Sequence, residues 1–486
     1  MRDFVPKPLF SLAAALKKET GKPLYLIGGK VRDYLAGFSM VSSDFDICAP
    51  VPAEIFMKTA LAAGFCADAA YARTGTMKIS LRQNGGNEKN DIKTEAEYAA
   101  FRSDKYVRGT HTPAETFFTE DILLDARRRD FTCNAVYYDI VADTFVDPLG
   151  GMKDIRNKLL RTVDKPGKVF GEDGLRLLRL ARFAGATGFS PTPETLDGAK
   201  TNAALIADVS PERIFAELKQ ILCSERKYGN ADGIYQALEI LDETRVLDGI
   251  FPDLAAGRNL KQRADFHNHD VLEHSLRAAA YSARANALAG VFPGIPVPFD
   301  VRLAALLHDI GKPAAYFRDG KFSDHPNVGA VLARAALEKL KAPVKTIKLV
   351  EALTKYHMYD YDLCTKENKL RKFIVLHYDI FNELLLVKQA DFSACKDDFS
   401  TAPGVTRLKN LADKMRAEGS PFTLKELAVR GNEIAPLLPS SRYVGATLEA
   451  LLLHCAVTPA DNTKERLLRL APSFAIVGGK NRNARL

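Results

Sequence analysis

Apolar and basic positions alternate at helical period over Pro8–Thr20, and Gly21-Lys22-Pro23 then breaks the run before a short apolar stretch, Leu24–Ile27. This spacing predicts a helix followed by a strand. Gly28-Gly29 follows at once, then a short helical pattern over Val31–Ala36 ended by Gly37, then a second strand at Phe45–Cys48 closed by Pro50. Further strands are predicted at Met77–Leu81 and Phe117–Phe118, with the polar, glycine-containing segments Arg82–Asp91 and Ser103–Pro113 as hairpin ends or loops. A last strand pair is expected at Ala135–Ile140 and Thr144–Asp147. Beyond it the pattern is helical almost without interruption, so the chain reads as an α/β head on a long helical body.

Length adds that one core cannot hold the chain: 486 residues far exceed a typical domain of roughly 100–150. With 47% apolar and 26% charged residues, the usage is that of a globular protein and excludes a disordered or fibrous one. The formal charge of +8 favours a polyanionic partner. Seven cysteines without a CxxC pair argue against a disulfide framework or a cysteine-rich zinc site. The first ten residues lack the apolar core of a signal peptide, and no apolar run reaches the roughly 18 residues of a membrane span. A cytoplasmic protein is expected. Of nine histidines only His111 precedes residue 260, which points to separate chemistry in the back half. The closing Gly478–Leu486 reads as a frayed basic tail.

In Ser43-Asp44-Phe45-Asp46-Ile47 the aspartates stand two apart on a predicted strand, so both carboxylates project from one face. Such a face can hold two Mg²⁺ ions, which activate an attacking hydroxyl and neutralise a departing pyrophosphate. An isolated DxD more often marks a solvated turn. Here Gly28-Gly29-Lys30-Val31-Arg32-Asp33 precedes it, and a glycine pair entering a helix presents free N–H groups to an anion, with Arg32 adding a fixed cationic fork. Strand, glycine pair, helix and DxD within about twenty residues suit a metal-chelated triphosphate.

Leu26-Ile27-Gly28-Gly29-Lys30-Val31-Arg32-Asp33 followed by Asp44-Phe45-Asp46 resembles the signature of class II CCA-adding enzymes and bacterial poly(A) polymerases. Arg128-Arg129-Asp130-Phe131-Thr132-Cys133-Asn134-Ala135 is similar to that family's RRDFT-x-NA motif, and the match implies that Arg129 contacts the nucleotide's ribose and phosphates. Asp147–Asp154 resembles the next motif, a connector associated with conformational change; Glu172-Asp173-Gly174-Leu175-Arg176 resembles EDxxR, and Ser210–Ile214 the helix motif after it. The family's EVTTFR pattern has no obvious counterpart, because Asp91-Ile92-Lys93-Thr94 is separated from Phe101-Arg102 by Glu95–Ala100. A third carboxylate is therefore either Asp91 or Glu95.

The EDxxR segment also makes chemical sense by itself. Cytosine and adenine each present an amine donor beside a ring-nitrogen acceptor, whereas uracil and guanine present a carbonyl beside an N–H donor. One acceptor, Asp173, and one donor, Arg176, select C and A; three apart, they are expected on one helix face. Arg179 and Arg182 continue the row and suit a triphosphate or the Asp173 carboxylate.

Further along, His274, His308-Asp309 and Asp391 follow the order H…HD…D and resemble the HD phosphohydrolase superfamily. Imidazole and carboxylate together suit a divalent metal, Mn²⁺, Ni²⁺, Co²⁺ or Mg²⁺. His325 and His357 are candidates for a two-metal version, with His267, His269 and His377 as competitors.

The resemblances imply a polymerase-β-like mixed-sheet nucleotidyltransferase head over residues 1–150 and an all-α neck with RNA- and nucleotide-binding motifs over 151–260. An HD metal-binding body over 261–400 and a helical C-terminal region over 401–486 follow. The implied activity is Mg²⁺-dependent, template-independent addition of C and A to tRNA 3′ ends from CTP and ATP, with HD-domain hydrolysis of RNA-end phosphates. Poly(A) addition and CC-only or A-only addition remain open within the class. In other classes, so do an RNA-binding HD phosphohydrolase with an inactive head and a regulatory nucleotide-binding protein without an RNA partner.

Overall fold

The computed structural model describes residues 4–39, 44–71, 75–83, 92–105, 115–291 and 294–478. It divides into two compact units, Met1–Ala255 with Lys339–Lys341, and Ala256–Glu338 with Ala342–Leu486.

The first unit opens with helix α1 (Lys7–Thr20), which buries Leu9, Leu12, Ala13 and Leu16 at helical spacing and ends on Gly21 at φ 72°. Its sheet is built from β1 (Tyr25–Ile27), β2 (Asp44–Ala49), β3 (Cys66–Tyr71), β4 (Thr76–Gln83), β5 (Ile92–Ala100), β8 (Tyr137–Asp139) and β9 (Thr144–Val146), in the order β3-β4-β5-β2-β1-β8-β9. All neighbours are antiparallel except β2 and β5, so the sheet is mixed as expected. Strands β6 (Arg102–Lys105) and β7 (Glu115–Phe118) form a separate ribbon. Helix α2 (Gly29–Leu35) joins β1 to β2, and α3 (Ala53–Ala62) leads from β2 to β3. Ile27, Cys48, Phe101, Ala135, Tyr137 and Val169 belong to a buried cluster of this unit.

Three of these strands differ from the sequence expectation, and β3 is one that it did not include. β5, the longest strand, carries Lys93, Glu95, Ala96 and Glu97, residue types with low strand propensity, and alternation rather than composition places it in the sheet. Ser103–Lys105, expected as loop, pairs with β7. Residues 84–91, 106–114 and 479–486, including Asp91 and most of the basic tail, lie outside the described residues.

Helices then dominate: α4 (Ile122–Arg127), α5 (Pro166–Glu172), α6 (Leu175–Thr187) and α7 (Pro211–Ile221) position the motifs of the first unit. α6 packs against the Gly233–Glu243 helix so closely that a Cβ at Gly185 would stand 2.3 Å from the Gly233 carbonyl oxygen. The second unit is helical. Its relevant members are α8 (Val271–Ala289), α9 (Phe299–Leu307), α10 (Lys312–Asp319), α11 (His325–Lys339), α12 (Val344–Tyr356) and α13 (Phe381–Lys396). No helix among the described residues is long and apolar enough to cross a membrane.

Candidate nucleotide cleft and metal centre

The first unit contains an open cleft of about 920 Å³ lined by Gly28, Gly29, Arg32, Asp46, Arg129, Asp173, Arg176, Arg179 and Arg182. Motifs as far apart in the chain as Gly28 and Arg182 thus meet on one concave surface. Gly28 caps α2 at φ 74°, ψ −141°, a region that only glycine adopts at little cost. A Cβ there would stand 3.0 Å from Asp46 Oδ2, so the glycine also admits the carboxylate.

Asp46 is exposed on β2, and Asp44 opens that strand two residues earlier. In the parallel pairing with β5, Asp44 is in register with Glu95 and Asp46 with Glu97. Glu95 and Glu97 are exposed and line the cleft with Asp46. Glu97 was missed from the sequence. Two signals point to it: the alternation Glu95-Ala96-Glu97-Tyr98, and its place four residues before Phe101-Arg102, the spacing of the acidic residue in EVTTFR. The departure from the family pattern is therefore the replacement of valine by Tyr98 and of the threonine pair by Ala99-Ala100.

Arg32 is 1% exposed and fully engaged. It donates from Nη2 to Asp33 Oδ1 at 2.6 Å and Tyr228 Oη at 2.9 Å, and from Nη1 to Asn134 Oδ1 at 2.9 Å. Although burial opposes the charge, Asp33 holds the guanidinium's pKa above its usual value. Arg32, Arg179 and Arg182 surround the Phe183 ring, with guanidinium carbons 5.1, 5.2 and 4.6 Å from its centroid. Three cations on one aromatic pivot concentrate positive charge at the cleft wall. Arg179 is aimed by Asp130, accepting at 2.6 Å, and Arg129 by Asp125, accepting at 2.9 Å.

Asp173 and Arg176 do not share a helix, which corrects the sequence expectation. α5 ends at Glu172, and Asp173 is extended at φ −148°, ψ 107°; its side chain accepts from the Leu175 N–H at 3.0 Å, just ahead of the next helix, whose N-cap is Gly174. Asp173 Oδ2 also pairs with Arg213 at 3.3 Å. Arg176 is anchored by the Val169 and Arg128 carbonyls at 2.9 and 2.7 Å and by Glu172 at 3.0 Å. The two side chains reach the same cleft from a helix break, not from one face.

In the second unit, His274 on α8, His308 and Asp309 after α9, His325 opening α11, His357 after α12 and Asp391 on α13 converge in a buried cluster. Asp309 lies at its centre: Oδ2 is 3.2 Å from His308 Nε2 and 3.5 Å from His274 Nε2, while Oδ1 is 3.1 Å from His325 Nε2 and 3.6 Å from His357 Nε2. Asp391 Oδ1 stands 3.1 Å from His274 Nε2, and Lys312 Nζ 2.6 Å from Asp309 Oδ2.

His308, His325 and His357 each place Nδ1 2.6–2.7 Å from a backbone carbonyl, of Ala305, Phe322 and Thr354 respectively. Carbonyls only accept, so Nδ1 carries the hydrogen and Nε2 is left to face the cluster. The Nε2 atoms then stand in pairs, His274–His308 at 3.1 Å and His325–His357 at 3.3 Å. For His325 and His357, whose Nδ1 atoms both carry the hydrogen, the facing lone pairs repel unless a cation sits between them, whereas no such bond fixes the tautomer of His274. Burial opposes charge throughout, but Asp309 and Asp391 push the His308 pKa up, whereas burial drives His357 down to about 4. Ligand orientation by Nδ1–carbonyl bonds and a carboxylate shared by two imidazole pairs fit a divalent-metal centre.

The competing histidines separate. His377 packs on Tyr356 and Phe373 with ring centroids 4.1 and 4.7 Å away, and His269 pairs with Asp397 at 3.1 Å. His267 borders His274, ring centroids 4.9 Å apart.

Family models match in chain order: the poly A polymerase head domain over residues 24–161, the probable RNA and SrmB-binding site of polymerase A over 188–257, and the HD domain over 271–391. The A-adding tRNA nucleotidyltransferase of Deinococcus radiodurans is 29% identical over 463 residues, covering 93% of this chain and 91% of the relative. A multifunctional CCA protein of Acinetobacter baumannii is 30% identical over 346 residues, 69% of this chain and 74% of that one. The fold matches the Bacillus stearothermophilus CCA-adding enzyme in complex with CTP at a TM-score of 0.65 and 24% identity, covering 98% of this chain and all of that one. It also matches the Thermotoga maritima CCA-adding enzyme complexed with tRNA at a TM-score of 0.59 and 16% identity, covering 96% of each chain.

Proposed function

Because the chain belongs to the family of CCA-adding tRNA nucleotidyltransferases and bacterial poly(A) polymerases, we propose that it rebuilds the CCA end of tRNA from CTP and ATP. The observation that carries this reading is the convergence of Gly28, Arg32, Asp46, Asp173 and Arg176, from separate motifs, on one cleft.

Asp44 and Asp46 are assigned as ligands of Mg²⁺, with Glu97 as the third carboxylate, since it lies in register with Asp46 and on the cleft. When bound, the metal lowers the pKa of the attacking 3′-hydroxyl and neutralises the departing pyrophosphate. The backbone at Gly28 and Gly29 admits the triphosphate close to Asp46, and the arginine group around Phe183 balances its charge. Arg129, held by Asp125, contacts ribose and phosphate. Asp173 accepts from the exocyclic amine of cytosine or adenine, and Arg176 donates to the neighbouring ring nitrogen. The partners that hold Arg176 leave its donors few other orientations, which is what discrimination by hydrogen bonding needs.

In the second unit His274, His308, Asp309 and Asp391 are assigned to one divalent ion, and Asp309, His325 and His357 to a second. The activity that fits is hydrolysis of 2′,3′-cyclic or 2′-phosphates at RNA ends. Lys312, ion-paired with Asp309, is assigned to a substrate phosphate.

The test uses tRNA transcripts ending before CCA, after C, and after CC, with CTP and ATP supplied separately and together. CCA addition predicts three nucleotides on the first transcript and one A on the last. A-only addition, a second reading favoured by the nearly full-length match to an A-adding relative, predicts extension of the CC transcript alone. Long homopolymeric A tails would identify a poly(A) polymerase instead.

A further inference from the structure

The centre of the second unit extends beyond the ligands assigned above. His267, His274 and Cys395 each offer one donor atom, and the three donor atoms lie within 4.8 Å of one another. Metal–donor bonds of about 2.0–2.3 Å put neighbouring donors of one ion roughly 3.3–3.8 Å apart, so small side-chain rotations suffice to close this set. Cys395 stands one helical turn after Asp391 on α13, with Sγ 3.9 Å from Asp391 Oδ1.

The arrangement is built rather than incidental. The Asn268 N–H donates to the Cys395 carbonyl at 2.9 Å, which fastens the stretch carrying His267 to the end of α13. His269, on the other side, pairs with Asp397 on the residue after that helix. Asp270 then caps α8, accepting from the Glu273 N–H at 2.8 Å, which sets the start of the helix that carries His274. The buried Nδ1 of His267 has no hydrogen-bond partner. An unpartnered buried nitrogen beside a thiol is costly as a bare polar group and ordinary as a metal donor.

We propose that His267 and Cys395 are further ligands of the ion that His274 serves with its one metal-binding nitrogen, bringing an N and an S donor to a site for a borderline divalent ion such as Zn²⁺ or Co²⁺. This rests on reading the cluster as a metal centre. It adds a thiolate to a donor set otherwise made of imidazole and carboxylate, and so biases the site away from Mg²⁺, which prefers oxygen. On binding, the Cys395 S–H proton leaves to solvent and the sulfur forms the metal bond; no electron is transferred.

The full-length protein, stripped with a chelator, is titrated with CoCl₂ and followed by near-ultraviolet absorption. A thiolate-to-cobalt charge-transfer band is expected in the parent and absent in Cys395→Ser. His267→Ala should weaken Co²⁺ binding at this position at least about tenfold. As a check that needs no variant, Zn²⁺ should slow alkylation of Cys395 by iodoacetamide, read by peptide mass analysis. Co²⁺ binding without the band, a band that survives in Cys395→Ser, or alkylation indifferent to Zn²⁺ would overturn the proposal. If no Co²⁺ binds at all, the metal reading of the whole cluster fails with it.

Discussion

Gly28 and Asp46 occupy one space: the carboxylate oxygen of Asp46 stands 3.0 Å from where a Gly28 Cβ would be. The glycine is thus fixed by two demands, a φ of 74° and the approach of a carboxylate to the start of α2. Gly28→Ala should cost on the order of 1–3 kcal/mol in stability from backbone strain and shift the carboxylate. Displacement of that group should lower kcat/KM for both CTP and ATP about 100-fold. Thermal unfolding and single-nucleotide addition assays, run on the same preparation, separate the two effects; unchanged addition would show that the close approach has no role in catalysis.

Glu97, rather than Glu95, is the carboxylate expected to matter most, because it is in register with Asp46. Glu97→Gln should lower kcat at least about 100-fold with either nucleotide while tRNA binding persists, as expected when a metal ligand is lost but the RNA contacts are not. Glu95→Gln should have the smaller effect. The reverse order would move the third ligand to Glu95.

Asp173→Ala removes the acceptor that rejects uracil and guanine. Competition assays should show discrimination against UTP and GTP falling by at least about two orders of magnitude. Arg176→Ala should relax selection similarly and also raise KM, since its anchors on Val169, Arg128 and Glu172 hold the local backbone. A variant of Asp173 as selective as the parent would end its base-reading role.

Asp125 anchors two arginines of the cleft wall, being fully buried and bonded to Arg128, Arg129 and the Tyr137 hydroxyl. Burial works against its charge, but the two arginines and the hydroxyl hold its pKa at about 2. A folded-state pKa below the unfolded value of about 3.9 means that the contribution is complete above that pH and is lost as pH falls through about 2. Urea unfolding at pH 7, 4 and 2.5 should show this loss in the parent. Asp125→Ala should lose about 3–5 kcal/mol at pH 7 and show a shallower acid decline. Equal acid slopes in both proteins would contradict the assignment.

Much of this was legible in the chain because the chemistry is written in short motifs. Gly28-Gly29, Asp44-Phe45-Asp46 and His308-Asp309 each combine residue types that fix their own local geometry. β5 was not legible because Lys93, Glu95 and Glu97 look like loop until β2 supplies a partner in register. The link between Asp173 and Arg176 was misread for a similar reason: helical spacing runs through the segment, while the extended Asp173 breaks it, and Gly174 is needed because a Cβ there would stand 2.5 Å from the Leu205 carbonyl oxygen. His325 and His357 outrank His377 only because of packing, since spacing gives all three equal standing. Cys395 carries no motif, and only helical adjacency to Asp391 marks it.

The central claim is that one chain holds two chemistries, nucleotide addition in the first unit and phosphate hydrolysis in the second. Asp46→Ala and His308→Ala are to be assayed side by side for addition to tRNA in Mg²⁺ and for 2′,3′-cyclic phosphate hydrolysis across Mg²⁺, Mn²⁺, Ni²⁺ and Co²⁺. Loss of a ligand removes its metal steeply, so Asp46→Ala should abolish addition and keep hydrolysis, and His308→Ala should do the converse. Loss of both activities in either variant, or hydrolysis absent from the parent with every metal, would contradict the account.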